Sequence, residues 1–138
     1  MYKEYLWAEK APYETDLRPS LEAHEVAGAK SAIVVCPGGG YTGKAVDHEG
    51  AAFCRLFNEA GYSAYQLDYR VFPCHYEAPL SDALRAVRVV RAKGYEKVGI
   101  IGFSAGGNLV CCAADYFDYG DPAAQDPIER VSSRPDAL

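Results

Sequence analysis

The chain predicts an α/β fold, a three-layer α/β/α sandwich built around a mostly parallel sheet of four or five strands. Three observations lead there. Short apolar runs alternate with segments of helical period, as parallel β-α-β units require. Ser31–Cys36 is apolar almost throughout, the pattern of a strand covered on both faces. Two glycine-rich turns, at 37–43 and 102–107, each follow such a run directly. Both therefore lie at strand carboxyl ends, on the one edge where parallel sheets bind ligands.

The elements follow in order. Residues 1–20 are irregular, broken by Pro12 and Pro19, with 5–8 as a candidate edge strand. Residues 21–26 alternate weakly and form a second candidate, ended by Ala27-Gly28. After the strand at Ser31–Cys36, Pro37-Gly38-Gly39-Gly40-Tyr41-Thr42-Gly43 can only be a loop. Ala52, Phe53, Leu56, Phe57 and Ala60 then fall at helical spacing, with Gly61 as the stop. A strand over 63–69 leads through 70–79 to an amphipathic helix. Its apolar face is Leu80, Ala83, Leu84, Val87 and Val90, and its polar face carries Arg85, Arg88 and Arg91. Gly94 ends it. A strand over 98–103 and a further apolar helix come next, and residues 115–136, with three prolines, read as a polar surface excursion.

A chain of 138 residues suits a single domain with a real core. A net charge of −5 and the absence of a basic run argue against nucleic acid and against a membrane surface as partners. The start lacks the long apolar stretch of a signal peptide or membrane span. The five cysteines (Cys36, Cys54, Cys74, Cys111, Cys112) have no metal-like spacing, and no metal or cofactor is expected. They read as buried free thiols, which suits a reducing cytoplasm.

Gly102-Phe103-Ser104-Ala105-Gly106 fits G-x-S-x-G, the strand-to-helix turn that lifts a serine hydroxyll above a sheet. The plainer alternative is a packed turn with a capping serine. The first glycine loop allows three readings. Gly38, Gly40 and Gly43, with Asp68 ending the following strand, fit a dinucleotide fingerprint, and Gly38 to Lys44 also fits a phosphate loop. Yet Ala45 stands where a phosphate loop needs Ser or Thr, and residues 46–50 intervene before any helix. The third reading explains both turns. An acyl-transfer site needs backbone N–H donors for an oxyanion, and Ala105, Gly39 and Gly38 would supply them.

Pro37-Gly38-Gly39-Gly40-Tyr41, Asp68-Tyr69-Arg70-Val71 and Gly102-Phe103-Ser104-Ala105-Gly106-Gly107, in this order, resemble α/β-hydrolase-fold serine esterases. The acetyl-xylan-esterase-like and hormone-sensitive-lipase-like carboxylesterases are the nearest in style. The family's His-Gly-Gly loop appears as Pro37-Gly38-Gly39. The resemblance implies Ser104 as the nucleophile and a small ester, of short acyl chain and possibly an acetylated carbohydrate, as the substrate.

It also implies an acid and then a histidine after the serine, and no histidine follows Ser104. Residues 1–138 accordingly read as one partial domain, the N-terminal half of an esterase with impaired activity. His48 and His75, on the functional edge, are the candidate substitute bases, while His24 reads as surface. Asp68 and Asp82 are expected to bond nearby backbone or to pair with Arg70 and Arg85. The strand over 98–103 would then be an open apolar edge, predicting a homo-oligomer through that edge and the adjacent helices. A non-catalytic self-associating fragment and a nucleotide-binding domain using the Gly38-to-Lys44 loop stand as alternatives.

Overall fold

The computed structural model describes residues 1–13 and 16–138. Five strands form one sheet: β1 (Tyr2–Tyr5), β2 (Ser20–His24), β3 (Ser31–Cys36), β4 (Ser63–Asp68) and β5 (Lys97–Gly102), in the order β1-β2-β4-β3-β5. The three inner and carboxyl-edge strands β4, β3 and β5 are parallel, whereas β1 pairs antiparallel with β2 and β2 antiparallel with β4. The sheet is thus mixed, its parallel part being the part built from β-α-β units. The crossovers β3-to-β4 and β4-to-β5 each contain a helix, as parallel neighbours usually do, whereas β1 and β2 precede the first helix.

Three helices complete the layers: α1 (Ala52–Glu59), α2 (Glu77–Ala92) and α3 (Ala105–Asp115). Strand alternation sorts the core into two faces. Val34, Cys36, Tyr65, Leu67, Val98 and Ile100 point toward α2 and α3 and form the larger cluster. Val35 and Ala64, with Ile33 and Ile101, point the other way and meet Cys54, Phe53 and Phe57 of α1. The expected sandwich is therefore present, with one helix on the second face.

Local boundaries differ from the sequence expectation in instructive ways. The edge strand lies at Tyr2–Tyr5, because Leu6 turns inward to be buried beneath Arg85. In α1 the buried position is Cys54, and Leu56 is exposed; a π-helical turn at Asp47–Ala51 precedes the helix. Gly61 (φ 88°) and Gly94 (φ 98°) end their helices in the left-handed region that glycine enters without a Cβ penalty.

The arginines of α2 do not form a solvated face. Arg85 and Arg88 are each 5 % exposed. Arg85 meets Asp126 at 2.8 Å and Glu129 at 2.6 Å, Arg88 meets Asp118 at 2.6 Å, and Arg91 meets Asp136 at 3.0 Å. One row of cations at i, i+3 and i+6 thereby straps residues 118–136 onto the helix. Asp82 pairs with Arg70 as expected, within a buried pair whose contacts run from 2.7 to 3.1 Å. Asp68 instead pairs with Lys44 at 2.5 Å, and Arg85 pairs with the strap rather than with Asp82.

The β5 edge is partly covered. Asp136 N–H donates to Val98 O (2.8 Å), Ile100 N–H donates to Ala137 O (3.0 Å), and Gly99 and Ala137 form a parallel bridge. The expected open edge therefore begins only beyond Ile100. Of the cysteines, Cys36 and Cys54 are buried, Cys74 and Cys112 are half-buried and Cys111 is exposed, so the expectation of buried thiols holds for two of the five. Burial pushes the Cys54 thiol up to about 12. No helix among the described residues is long and apolar enough to cross a membrane.

Candidate active site

The site begins with the register of two strands. β3 and β5 are adjacent and parallel with Cys36 opposite Gly102, so the turns that leave them start side by side. The chain after β5 reverses into α3 through Ser104, whose φ of 53° and ψ of −118° lie in a region that non-glycine residues rarely enter. Such a turn fits only because its neighbours lack side chains. A Cβ on Gly102 would overlap the Gly106 carbonyl, and one on Gly106 would overlap Cys36 O. Ser104 is exposed and its side chain caps no N–H of α3, so the capping role is not what the residue performs.

The glycine loop after β3 folds against this turn. A Cβ on Gly38 would stand 2.5 Å from Phe103 O, 2.7 Å from Glu49 Oε2 and 3.1 Å from Ser104 Cβ, a space only glycine can occupy. Gly38 O accepts from Ala45 N–H (2.8 Å), and Gly39 O accepts from the N–H groups of Thr42 and Gly43 (both 3.1 Å). In a trans peptide the N–H points opposite to the C=O, so the Gly39 and Gly40 N–H groups face away from their own loop. Among the described residues no hydrogen bond engages them, nor the N–H of Ala105 at the start of α3. The Gly38 N–H is different: it donates to Glu49 Oε2 at 2.9 Å. Of the three expected donors, Ala105 and Gly39 are therefore uncommitted and Gly38 is already bound.

Around this pair of turns the loop is fastened at several points. Tyr69 donates a short hydrogen bond to Pro37 O, and Lys44 Nζ donates to Tyr69 O at 2.7 Å while pairing with Asp68. A lysine so held, and an aspartate so neutralised, are not poised for a phosphate or a ribose, and a π-helical turn rather than an α-helical N-terminus follows the loop. Tyr41, at φ 58°, donates its hydroxyl to Asn108 Oδ1 (2.8 Å), tying the loop to α3 one turn beyond Ser104. Burial pushes the Tyr41 phenol up, which keeps it a donor. Beside this tie opens a cavity of about 530 Å³.

The histidines are less organised. His24 bonds Glu22 at 2.8 Å on β2. His48 lies in the π-helical turn and His75 in the loop before α2; both are exposed, and no hydrogen bond among the described residues orients either ring. Glu49 and the Tyr41–Asn108 tie were not legible in the sequence. A carboxylate in the polar stretch 46–50 gives no signal until the loop closes on it.

A serine hydroxyl held clear of its own helix, beside uncommitted backbone donors, is the arrangement that acyl transfer uses. A family model of the alpha/beta hydrolase fold matches residues 33–126. The chain belongs to that family. It is 33 % identical over 154 aligned positions to endo-1,4-beta-xylanase B of Butyrivibrio fibrisolvens, covering 99 % of this chain and 24 % of that protein. It is 38 % identical over 84 positions to an acetylxylan esterase of Xylanibacter ruminicola, covering 56 % of this chain and 18 % of the esterase. Among solved structures, an acetyl ester-xyloside bifunctional hydrolase from Caldicellulosiruptor lactoaceticus superposes with a TM-score of 0.88 at 39 % identity, covering 98 % of this chain and 54 % of that one. A butyrate-bound thermophilic esterase from Thermogutta terrifontis gives 0.74 at 25 % identity, with 99 % and 51 % covered. The chain thus spans about half the length of these solved structures and a quarter or less of the curated relatives.

Proposed function

We propose that this chain carries the nucleophile and oxyanion part of a serine carboxylic-ester hydrolase. In this reading Ser104 Oγ attacks the ester carbonyl, and the charge developing on its oxygen is met by the N–H groups of Ala105 and Gly39. Gly38 contributes the close approach of the two turns, its own N–H being held by Glu49. The alcohol departs, and water would then release the acid from the acylated serine. The observation that carries the reading is the juxtaposition of the strained Ser104 with the glycine loop, set by the Cys36–Gly102 register.

Short acyl groups, acetyl on a carbohydrate among them, are the substrates the reading favours. Its support is the similarity to the acetylxylan esterase and to the acetyl ester-xyloside hydrolase. A base must also take the serine proton. His48 and His75 are the candidates for that base, and no hydrogen bond among the described residues orients either ring. With oxyanion donors and binding alone, about 10³–10⁴-fold over water remains, several orders of magnitude below a complete triad.

Hydrolysis of p-nitrophenyl acetate by the chain beside its Ser104→Ala variant tests this. Slow turnover lost in the variant is expected, together with a mass increment on Ser104 after exposure to paraoxon. Equal rates in both, with no adduct on Ser104, would overturn it. The partly open β5 edge favours a second reading, in which the chain self-associates without turnover.

A further inference from the structure

Between the glycine loop and α1 the chain makes a π-helical turn over Asp47–Ala51, a geometry that recurs at functional sites. Gly50 lets this turn sink onto β4, since a Cβ there would stand 2.5 Å from the Gln66 amide carbon. Glu49, the residue before it, is thereby carried to the loop, where its Oε2 accepts the Gly38 N–H at 2.9 Å. The carboxylate lies beside the nucleophile as well. One point, the place a Gly38 Cβ would take, is 2.7 Å from Glu49 Oε2 and 3.1 Å from Ser104 Cβ.

We propose that Glu49 is a positioning residue for the ester hydrolysis: by holding Gly38 it fixes the loop peptide whose Gly39 N–H receives the oxyanion. The need arises from the glycines themselves. Crowding by Phe103 O and Ser104 forbids a side chain at Gly38, and without side chains residues 38–40 restrict their own dihedrals little. Hydrogen bonds must do so instead. The peptide joining Pro37 to Gly38 is gripped at both ends, its carbonyl by the Tyr69 hydroxyl and its N–H by Glu49. The next peptide is gripped at its carbonyl, Gly38 O accepting from Ala45 N–H at 2.8 Å, and Ala45 O in turn accepts from Glu49 N–H at 3.1 Å. Glu49 therefore closes a ring on Gly38 through both its carboxylate and its backbone. With Gly38 held on each side, the Gly39 N–H has one direction, opposite to the carbonyl bound by Ala45. Tyr69 is fully buried, so Glu49, half-buried, is the side chain of this clamp that can be altered without opening the core. Oxyanion donors act only when aimed beforehand, and a misplacement of about 1 Å costs on the order of 10²-fold in rate.

The inference rests on the hydrolase reading for what the Gly39 N–H meets, whereas the clamp itself needs no substrate. Two measurements on the 138-residue chain separate them. In backbone amide relaxation by NMR, Glu49→Ala is expected to lower the Gly38 and Gly39 order parameters from about 0.85 to below about 0.6. Glu49→Gln, which keeps an acceptor oxygen, is expected to restore them. Arg88→Ala, which loosens the strap at a similar cost in stability, is expected to leave them unchanged. In parallel, the rate of Ser104 phosphylation is followed by mass against paraoxon concentration. Glu49→Ala is expected to slow the limiting rate at least about tenfold, with half-saturation unchanged within about twofold. Glu49→Gln should stay within about threefold of the unaltered chain, and Arg88→Ala within about twofold. Gly38 and Gly39 amides as ordered in Glu49→Ala as in the unaltered chain would overturn the proposal. So would Glu49→Gln as slow as Glu49→Ala, since the carboxylate would then act by charge or by taking a proton. Equal slowing by Arg88→Ala would also overturn it, reducing the effect to general stability. No adduct on Ser104 of the unaltered chain, with the amides loosened in Glu49→Ala alone, would fell the hydrolase reading and leave the clamp standing; an adduct with unmoved amides would do the reverse.

Discussion

Ser104 stores backbone strain that a side chain makes expensive. A non-glycine residue at φ 53°, ψ −118° costs on the order of 1–3 kcal/mol, and the flanking glycines are what allow it to persist. Ser104→Gly should relieve that strain and give back about 0.5–1 kcal/mol through the greater freedom of the unfolded chain. The expected outcome is a net gain of about 1 kcal/mol, read as a higher midpoint in urea, whereas Ser104→Ala keeps the strain and should leave the midpoint nearly unchanged. A loss of stability in Ser104→Gly would mean that the turn is not strained. Glu49 makes the opposite case. Its carboxylate takes the Gly38 N–H, so Glu49→Ala strands that donor and should cost about 1–3 kcal/mol, while Glu49→Gln keeps an acceptor oxygen and should recover most of it. The two residues also mark how far the sequence could be read. The elbow was legible because its glycines answer to backbone collisions at fixed spacing. Glu49 was not, because its partner lies eleven residues back and nothing in its polar surroundings distinguishes it from a solvated acid.

At the scale of elements, α2 illustrates where helical periodicity misleads. Its arginines fall on the face opposite Ala83, Val87 and Val90, and periodicity alone assigns that face to water. The face is covered instead by the strap of residues 118–136, whose acids arrive from 30 to 45 residues downstream in no regular pattern. Arg88→Ala would leave the Asp118 carboxylate without its cation and the Val131 carbonyl without its donor, while Glu129 keeps Arg85, and should cost about 2 kcal/mol in thermal or urea melts. The same contacts set a pH dependence. The Arg88 guanidinium holds the Asp118 carboxyl below the usual range. Burial acts in the other direction on Asp126 and Asp136, but is outweighed by the Ile128 N–H and Arg85 for the first, and by the Val98 N–H and Arg91 for the second. Carboxyls depressed in the folded state bind protons more readily when unfolded, so their stabilisation is complete above the ordinary carboxylate range and is lost as pH falls through the folded values. The melting temperature should be flat from pH 7 to 5 and fall below about pH 4. These acids are largely solvated, so the effect is moderate and should shrink in 0.5 M salt. An acid limb no shallower in Arg88→Ala than in the unaltered chain would remove the strap from the account.

For the molecule as a whole, the open question is what meets the far side of β5. The parallel strands and their glycine turns could be read from unbroken apolar runs, because a strand buried on both faces has little sequence freedom. The reversal of β1 and β2 could not, since pairing direction depends on connections rather than on side-chain pattern. Nor could the placement of Asp136 and Ala137 against Val98–Ile100, which follows from chain length beyond the strap. That short pairing covers the start of the edge and stops. The N–H groups of Val98 and Ile100 turn outward and are engaged, and Gly102 N–H, the next in the alternation, has no partner among the described residues. Beside it lie Ile101, Phe103 and Ile33, half-buried on the face that α1 alone covers. An unpaired donor row next to an apolar face is a template for another chain. For residues 1–138 taken alone we therefore propose a dimer or larger assembly at tens of micromolar by sedimentation, formed through 101–103 of two copies. Ile101→Lys, which sets a charge on that face without touching Ser104 or its donors, should shift the population to monomer while preserving the far-ultraviolet circular dichroism. A monomeric unaltered chain across that concentration range would refute self-association, and with it the non-catalytic alternative that depends on it. The hydrolase reading would then stand or fall on Ser104 alone.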